Sequence, residues 1–425
     1  MHLTSLDLLD FRSYEHLELP FAPGVTVFVG PNGQGKTNIV ESLWYLATLS
    51  SHRVPHDAAL VRRGESTAII RAAFVRAGRD LQVDLQITPG KSNRARVQGA
   101  ALNRLRDLLG EVRAVLFAPE DLGLVKADPE GRRRFLDELL FLIAPRFAGV
   151  KADYDRVVKQ RTGLLKQMRT MRRGGAGRSV GGLDPEEAAI STLEVWDQQL
   201  ARFGAELLRA RVHLVNRLRP HVGYSYLRVA SDAGAESSLD LPPDQRGSID
   251  SPADISYRSS VLDTLAVPDG ALPSTKELED ALLAEAVAKR DEEVDRGVTL
   301  VGPHRDDLEI RLHGFPAKGY ASHGESWSLA LSLRLGSYDL LRLEEGDLGA
   351  GEPILVLDDV FSELDTSRRE RLGRIVTGAS QVLITTANDS DIPDSLEGEI
   401  HVVDVQLGEA RAREGTLHHG GGSSW

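Results

Sequence analysis

Gly30, Gly35, Lys36 and Thr37, within VGPNGQGKTN from Val29 to Asn38, fit the spacing G-x-x-x-x-G-K-[ST]. Glycines at those places let backbone amides curl around phosphate oxygens, and a helix beginning behind them turns its positive end toward the anion. The lysine reaches the terminal phosphates, and the hydroxyl can ligand magnesium. The whole loop, Gly30, Pro31, Asn32, Gly33, Gln34, Gly35, Lys36 and Thr37, is therefore a candidate nucleotide cradle. Such a site needs a second magnesium anchor at the end of an apolar strand, and ILVLDD supplies Asp358 and Asp359. Asp358 would share the metal with Thr37, while Asp359 would orient or deprotonate an attacking water, making Lys36, Asp358 and Asp359 the catalytic candidates.

Other groups say less by themselves. In YASHGESWSLALSLRLGSYDLL, Ser322 and Gly324 precede a helix whose apolar face includes Trp327, Leu331 and Leu335. A serine and glycine there form an anion-accepting end, and equally an ordinary helix cap. His304 stands beside Asp306 and Asp307 in VGPHRDDL at no standard ligand spacing, so a structural or dimer-surface role is expected. Arg53 and Arg62 are candidates for an extra phosphate contact, with solvated charge the simpler account.

The elements that must position these residues read as an α/β fold. VTVFVG follows the turn at Pro23 and Gly24 as a strand, and NIVESLWYLATL carries Ile39, Val40, Leu43 and Leu46 at helical spacing: strand, glycine loop, helix. STAIIRAAFV and LQVDLQI alternate like half-buried strands. PILVLDDV and QVLITTAN are near-continuous apolar runs, as a parallel sheet covered on both faces requires. Between these ends, RRRFLDELLFLIAPRF and STLEVWDQQLARFGAELLRARVHLVNRL are amphipathic helices broken by GGAGRSVGG at Gly174 to Gly182, and could form a projecting arm. The expected divisions are 1–119 and 296–410 as two halves of one head, 120–295 as a helical insertion with a loop-rich stretch near 231–275, and 411–425 as a disordered tail.

Composition bounds the rest. The 425 residues are 41% hydrophobic and 27% charged and contain no cysteine, which excludes a disulfide framework, an iron–sulfur cluster and thiolate zinc. No apolar run approaches the roughly 18 residues of a membrane span, so a cytosolic protein without membrane association is expected. The net charge of −12 argues against coating nucleic acid with the whole surface. Charge is unevenly placed, however. From Arg156 to Leu183 there are eight basic residues and no acidic one: Arg156, Lys159, Arg161, Lys166, Arg169, Arg172, Arg173 and Arg178. That run is either a local footprint for a polyanion or a solvated helical face.

The distance from Thr37 to Asp358 along the chain is informative. ABC-type heads of chromosome-maintenance ATPases are built this way, with the two halves of the site divided by a helical insertion. LLDFRSYEHLEL, GPNGQGKTN, FAPEDLGLVKADPEGRRRFLD (Phe117 to Asp137), VGPHRDDL (Val301 to Leu308) and LDDVFSELD, in that order, resemble the RecF family of bacterial recombination mediators within that SMC-like, ABC-type superfamily. The resemblance covers nearly the whole chain, more weakly at 231–290 and in the tail. It implies ATP and Mg2+ as ligands, magnesium at Thr37 and Asp358, hydrolysis involving Asp359, and contact of Ser322 with the terminal phosphate of ATP on a second copy, with SELD (Ser362 to Asp365) running between the two nucleotides. It further implies an ATP-dependent homodimer that binds DNA at single-strand gaps. RecR and RecO are the implied partners, with RecA as the protein loaded, in recombinational repair, replication restart and the SOS response. RAVLFAP lacks the glutamine of the wider ABC pattern, and Ala387 stands where a histidine often senses the terminal phosphate, so hydrolysis should be slow. The rival functions are an ABC-type transporter ATPase and a non-hydrolysing interaction protein that holds nucleotide structurally.

Overall fold

The computed structural model describes residues 1–173, 185–230, 250–343, 351–413 and the strand at 417–419. The chain groups into two compact units: Met1–Ala127 with Leu218–Asp254 and Arg311–Trp425, and Asp128–Arg217 with Ile255–Ile310. The expected divisions near 119 and 295 thus move to 127 and 310, and residues from Leu218 to Asp254 group with the chain ends.

The first unit carries two sheets. β1 (His2–Phe11), β2 (Tyr14–Pro20), β4 (Ala68–Arg76), β5 (Arg79–Ile87), β6 (Arg94–Val97) and β7 (Ala100–Ala101) form an antiparallel sheet in the order β2-β1-β4-β5-β6-β7. The second contains β3 (Gly24–Val29), β8 (Ala114–Phe117), β12 (Ile354–Asp358), β13 (Gln381–Thr386), β14 (Gly398–Gln406) and β15 (Glu409–Ala412), in the order β15-β14-β3-β13-β12-β8, with β16 (Leu417–His419) also on β14. The pairs β8–β12, β12–β13, β13–β3 and β3–β14 are parallel. Every residue of β8, β12 and β13 is buried, which is why those runs are apolar without alternation. Strands from both chain ends therefore build one α/β sheet, as expected. Gln381 ties it to the antiparallel sheet: its Oε1 accepts from Leu3 N at 2.7 Å while its Nε2 donates to Leu3 O at 2.9 Å. The supposed tail instead supplies strands as far as Ala412 and at 417–419; residues 414–416 and 420–425 lie outside the described residues.

Helix α1 (Lys36–Thr48) follows the glycine loop and packs on β8, β12 and β13. The short α2 (Leu122–Lys126) follows β8. Strands β9 (Ala253–Arg258), β10 (Asp307–Leu312) and β11 (Phe315–Pro316) make a small sheet in the order β11-β10-β9. Part of the stretch expected to be loop is therefore strand, and residues 231–249 lie outside the described residues.

In the second unit, α3 (Pro129–Ile143), α4 (Arg146–Arg173), the portion of α5 (Pro185–Ala230) up to Arg217, α6 (Ser260–Thr264), α7 (Thr275–Ala288) and α8 (Arg290–Arg296) make the helical body. Ala201, Ala205 and Leu208 pack with Leu278, Leu282 and Val301, while Leu165 and Met168 pack with Leu193 and Val294. The expected glycine-rich break at 174–182 lies outside the described residues. Arg161, 0% exposed, donates to Asp197 Oδ1 at 2.7 Å and to Glu293 Oε2 at 2.5 Å. A charge so deep persists because two carboxylates neutralise and hydrogen-bond it.

VGPHRDDL fastens the same unit. Asp307 takes both arms of Arg132 at 2.7 and 2.8 Å, and the Asp306 carbonyl accepts from Arg133. The Asp306 carboxyl accepts from the Tyr257 hydroxyl at 3.0 Å, and His304 Nδ1 lies 2.7 Å from the Tyr154 hydroxyl. Burial raises the Asp306 carboxyl to about 7 and lowers the His304 imidazole to about 4.

Candidate functional site

The glycine loop, Asp358 and Asp359 lie in the first unit, at the carboxyl ends of β3 and β12. Parallel sheets open their ligand crevices at such ends. Gly33 (φ 82°) and Gly35 (φ 117°) take backbone angles that side chains disfavour. Gly30 is held closer still, since a Cβ there would stand 2.2 Å from the Val405 carbonyl oxygen. Gln34 moors the loop to the β14–β15 turn, its Oε1 accepting from Leu407 N at 2.8 Å. Lys36 is 3% exposed, and its ammonium lies within the loop, donating to Gly30 O at 2.7 Å, Pro31 O at 3.2 Å and Asn32 Oδ1 at 3.3 Å.

The residues that sequence places 321 apart meet here: Thr37 Oγ1 donates to Asp358 Oδ1 at 2.9 Å. The register pairs Asp358 with Thr385 across β12 and β13, and the Thr385 hydroxyl donates to the same Oδ1 at 2.6 Å. Asp358 Oδ2 faces His52 Nε2 at 3.6 Å. One hydroxyl beside one carboxylate, behind a glycine loop, could supply two oxygen ligands to a hard cation whose remaining ligands would be phosphate oxygens and water. Among the described residues no three His, Cys, Asp or Glu side chains gather as a metal site. The Thr37–Asp358 pair thus suits a cation that arrives with phosphate ligands of its own.

Asp359 sits at the strand end with φ 51°, its amide bonded to the Thr385 hydroxyl at 2.9 Å. Burial raises its carboxyl above the ordinary range and the nearby Asp358 adds to the rise, while the Lys36 charge opposes it. A raised carboxyl is a stronger base once ionised.

Ser322 and Gly324 stand elsewhere in the unit, at the start of α10 (His323–Leu343), which follows the short α9 (Ala317–Tyr320). Ser322 N donates to Glu325 Oε2 at 2.8 Å and Glu325 N to Ser322 Oγ at 3.3 Å, a reciprocal cap. Ser322 remains exposed, and Gly324 leaves room for the Arg368 guanidinium, 2.8 Å from where a Cβ would be. In SELD, Asp365 caps α11 (Thr366–Thr377) by accepting from Arg368 N at 3.0 Å. Arg62 is committed to Asp10 at 2.7 Å, whereas Arg53 reaches Asn38 Oδ1 at 3.2 Å, one residue beyond Thr37.

Sequence reasoning missed Thr385, His52 and a buried anchor under α1. There Glu41, 0% exposed, accepts from Arg12 Nε at 2.7 Å and from Ser51 Oγ at 2.5 Å. Thr385 lies in the quoted QVLITTAN, and only the strand register shows that it meets Asp358.

Residues 2–407 match the RecF/RecN/SMC N terminal domain family. The chain is 52% identical over 420 residues to the DNA replication and repair protein RecF of Beutenbergia cavernae, covering 96% of this chain and 99% of that protein. It is 52% identical over 403 residues to the same-named protein of Frankia alni, covering 95% and 98%. Its fold is similar to solved structures of the recombination mediator protein RecF in the RecFOR pathway, as RecF-ATPrS and as RecF-ATP. Each has a TM-score of 0.79 and 23% identity, with coverage of 97% of this chain and 98% and 97% of theirs. With a family match from residue 2 to residue 407 and half its residues shared with such relatives over almost their full length, the chain belongs to the RecF family.

Proposed function

We propose that the protein is an ATP-dependent DNA-binding recombination mediator. It binds ATP with magnesium, pairs with a second copy across the nucleotide, holds DNA at single-strand gaps and hydrolyses ATP slowly, stimulated by DNA, to let go. Meeting RecR and RecO, it helps load RecA in the cytoplasm during recombinational repair, replication restart and the SOS response. The observation that carries the nucleotide part is the 2.9 Å contact between Thr37 Oγ1 and Asp358 Oδ1. Thr37 and Asp358 are the residues to hold magnesium, which when bound screens the charge on the terminal phosphates. Lys36 swings from the loop carbonyls to those phosphates, and the Asp359 carboxylate takes the proton of the attacking water. Ser322, exposed at a helix start, meets the nucleotide of the second copy.

Of the two readings left open for the basic run from Arg156 to Leu183, we favour the solvated helical face and put the DNA contact elsewhere. Arg161 is buried in its ion pairs, and Arg172 bonds Asp291 at 3.0 Å, so the basic stretch of α4 offers less free charge than its composition implies. Arg178 lies outside the described residues. In the first unit, exposed Lys91, Arg94, Arg96 and Arg104 line a cleft of about 1170 Å³ over β4, β5 and β6. None of the four has an ion pair among the described residues. On a chain of net charge −12, unpaired cations gathered in one cleft favour a phosphodiester backbone there.

Binding of gapped and blunt duplexes, with and without ATP, tests the whole proposal: retention of gapped DNA only with ATP is expected. ATP-independent binding, or none, would overturn the mediator function. Among the described residues no helix is long and apolar enough to cross a membrane.

A further inference from the structure

His52 follows α1 in the segment Ser51–Val54, which is firmly held. Ser51 Oγ donates to the buried Glu41 and accepts from the amides of Arg53 at 3.0 Å and Val54 at 3.1 Å. The backbone that carries the imidazole is thus fixed on both sides. The ring itself is not bonded at all: its side chain is 9% exposed, and both Nδ1 and Nε2 are buried without a hydrogen-bond partner. Asp358 Oδ2 lies 3.6 Å from its Nε2, beyond hydrogen-bond reach.

Two buried ring nitrogens left unsatisfied cost stability, and a fold keeps such a group when something else is to satisfy it. Thr37 and Thr385 both use Oδ1 of Asp358, so Oδ2 and the His52 ring together border the space on the other side of that carboxylate. Arg53, the next residue, reaches Asn38 directly after Thr37, which keeps the segment over the start of α1, where the loop aims its phosphates. After β13, Ala387 offers no side chain able to donate to a phosphate.

We infer that His52 is a nucleotide-contacting residue whose imidazole donates a hydrogen bond to the terminal phosphate group, distinguishing ATP from ADP. This rests on the nucleotide assignment of the loop. A ring waiting for a third phosphate gains a partner from ATP and none from ADP.

The test uses the full-length chain with magnesium and fluorescent N-methylanthraniloyl ATP and ADP, together with thermal unfolding in the absence of nucleotide. His52→Leu should weaken ATP binding about 10- to 100-fold, the scale of one hydrogen bond to a charged group. ADP affinity and the nucleotide-free melting temperature should be unchanged or higher, because an unsatisfied polar ring has been replaced by an apolar side chain. His52→Gln, which keeps a donor, should recover most of the ATP affinity. Equal losses for ATP and ADP, an unaltered ATP affinity, or a fall in nucleotide-free melting temperature would each overturn the assignment. If the wild-type chain bound neither nucleotide, the nucleotide function itself would fail. Normal wild-type binding, lost for both nucleotides in Lys36→Ala, confines any failure to His52.

Discussion

Asp358 illustrates how much one side chain does at this site. Both hydroxyls bonded to its Oδ1 orient it before any ligand arrives, so its geometry depends on two strands and a helix at once. Asp358→Asn should lower ATP turnover by roughly 100-fold or more and raise the magnesium concentration it requires, since the residue paired with Thr37 loses its charge. Phosphate release at graded magnesium concentrations measures this, and an unchanged metal dependence would remove Asp358 from the site. Gly30→Ala places a methyl against the Val405 carbonyl. A destabilisation of about 1–3 kcal/mol in denaturant unfolding is expected, with weakened nucleotide binding. The glycine loop and Asp358 were readable in sequence because their chemistry is encoded by residue type at fixed spacing. Thr385 was not, because its role depends on which residue the neighbouring strand sets beside Asp358. No spacing announces His52, whose meaning lies in the bonds its ring lacks.

At the scale of elements, the helices show where reading by composition goes astray. In α4 the buried residues are Tyr154, Val157, Arg161, Leu165 and Met168, three or four apart. Arg161 thus occupies a core position of the helical stripe, and a count of positive charge hides what periodicity shows. Charge reversal at Arg94 and Arg96 should weaken DNA binding and flatten its salt dependence. The same change at Arg169, Arg172 and Arg173 should do so less, because Arg169 and Arg172 already serve Arg296 O, Asp291 and Asp295. Salt titrations of DNA binding in both variants decide between the two faces. For α10, the reciprocal cap predicts that Ser322→Ala costs about 1 kcal/mol in unfolding. Ser322→Arg should in addition prevent ATP-dependent dimers while leaving ATP binding intact, as light scattering would report. Normal dimers in that variant would refute contact across the pair. The parallel strands were legible as continuous apolar runs. The small sheet near residue 255 was not, because prolines and polar residues around it read as loop.

For the molecule as a whole, the buried clasp around VGPHRDDL sets a pH dependence of stability. The Asp306 carboxyl, raised to about 7, contributes stability that is complete below its ordinary value near 4 and lost as pH rises to 7. The His304 imidazole, lowered to about 4, works oppositely: its contribution is complete above about 6.5 and lost as pH falls to 4. The two slopes partly cancel. Asp306→Asn should therefore gain stability relative to the wild type as pH climbs from 4 to 7, by at most about 1.4 kcal/mol per pH unit. Denaturant unfolding at stepped pH reads this directly, and parallel curves for the two proteins would refute it. The grouping of residues after Leu218 with the chain ends was not visible from texture. One helix, α5, contains that change of unit at 217/218, with Pro220 inside it.

The sheet that seats Thr37 beside Asp358 also has a history during synthesis. At ribosomal speeds of about 5–20 residues per second, the 321 residues between them take roughly 15–60 s to emerge. Throughout that interval β3 waits without β13 or β14, the two strands that flank it in the finished sheet. A product interrupted before Asp358 lacks the carboxylate that Thr37 meets, so that contact cannot form until strands from both halves of the sheet have been made.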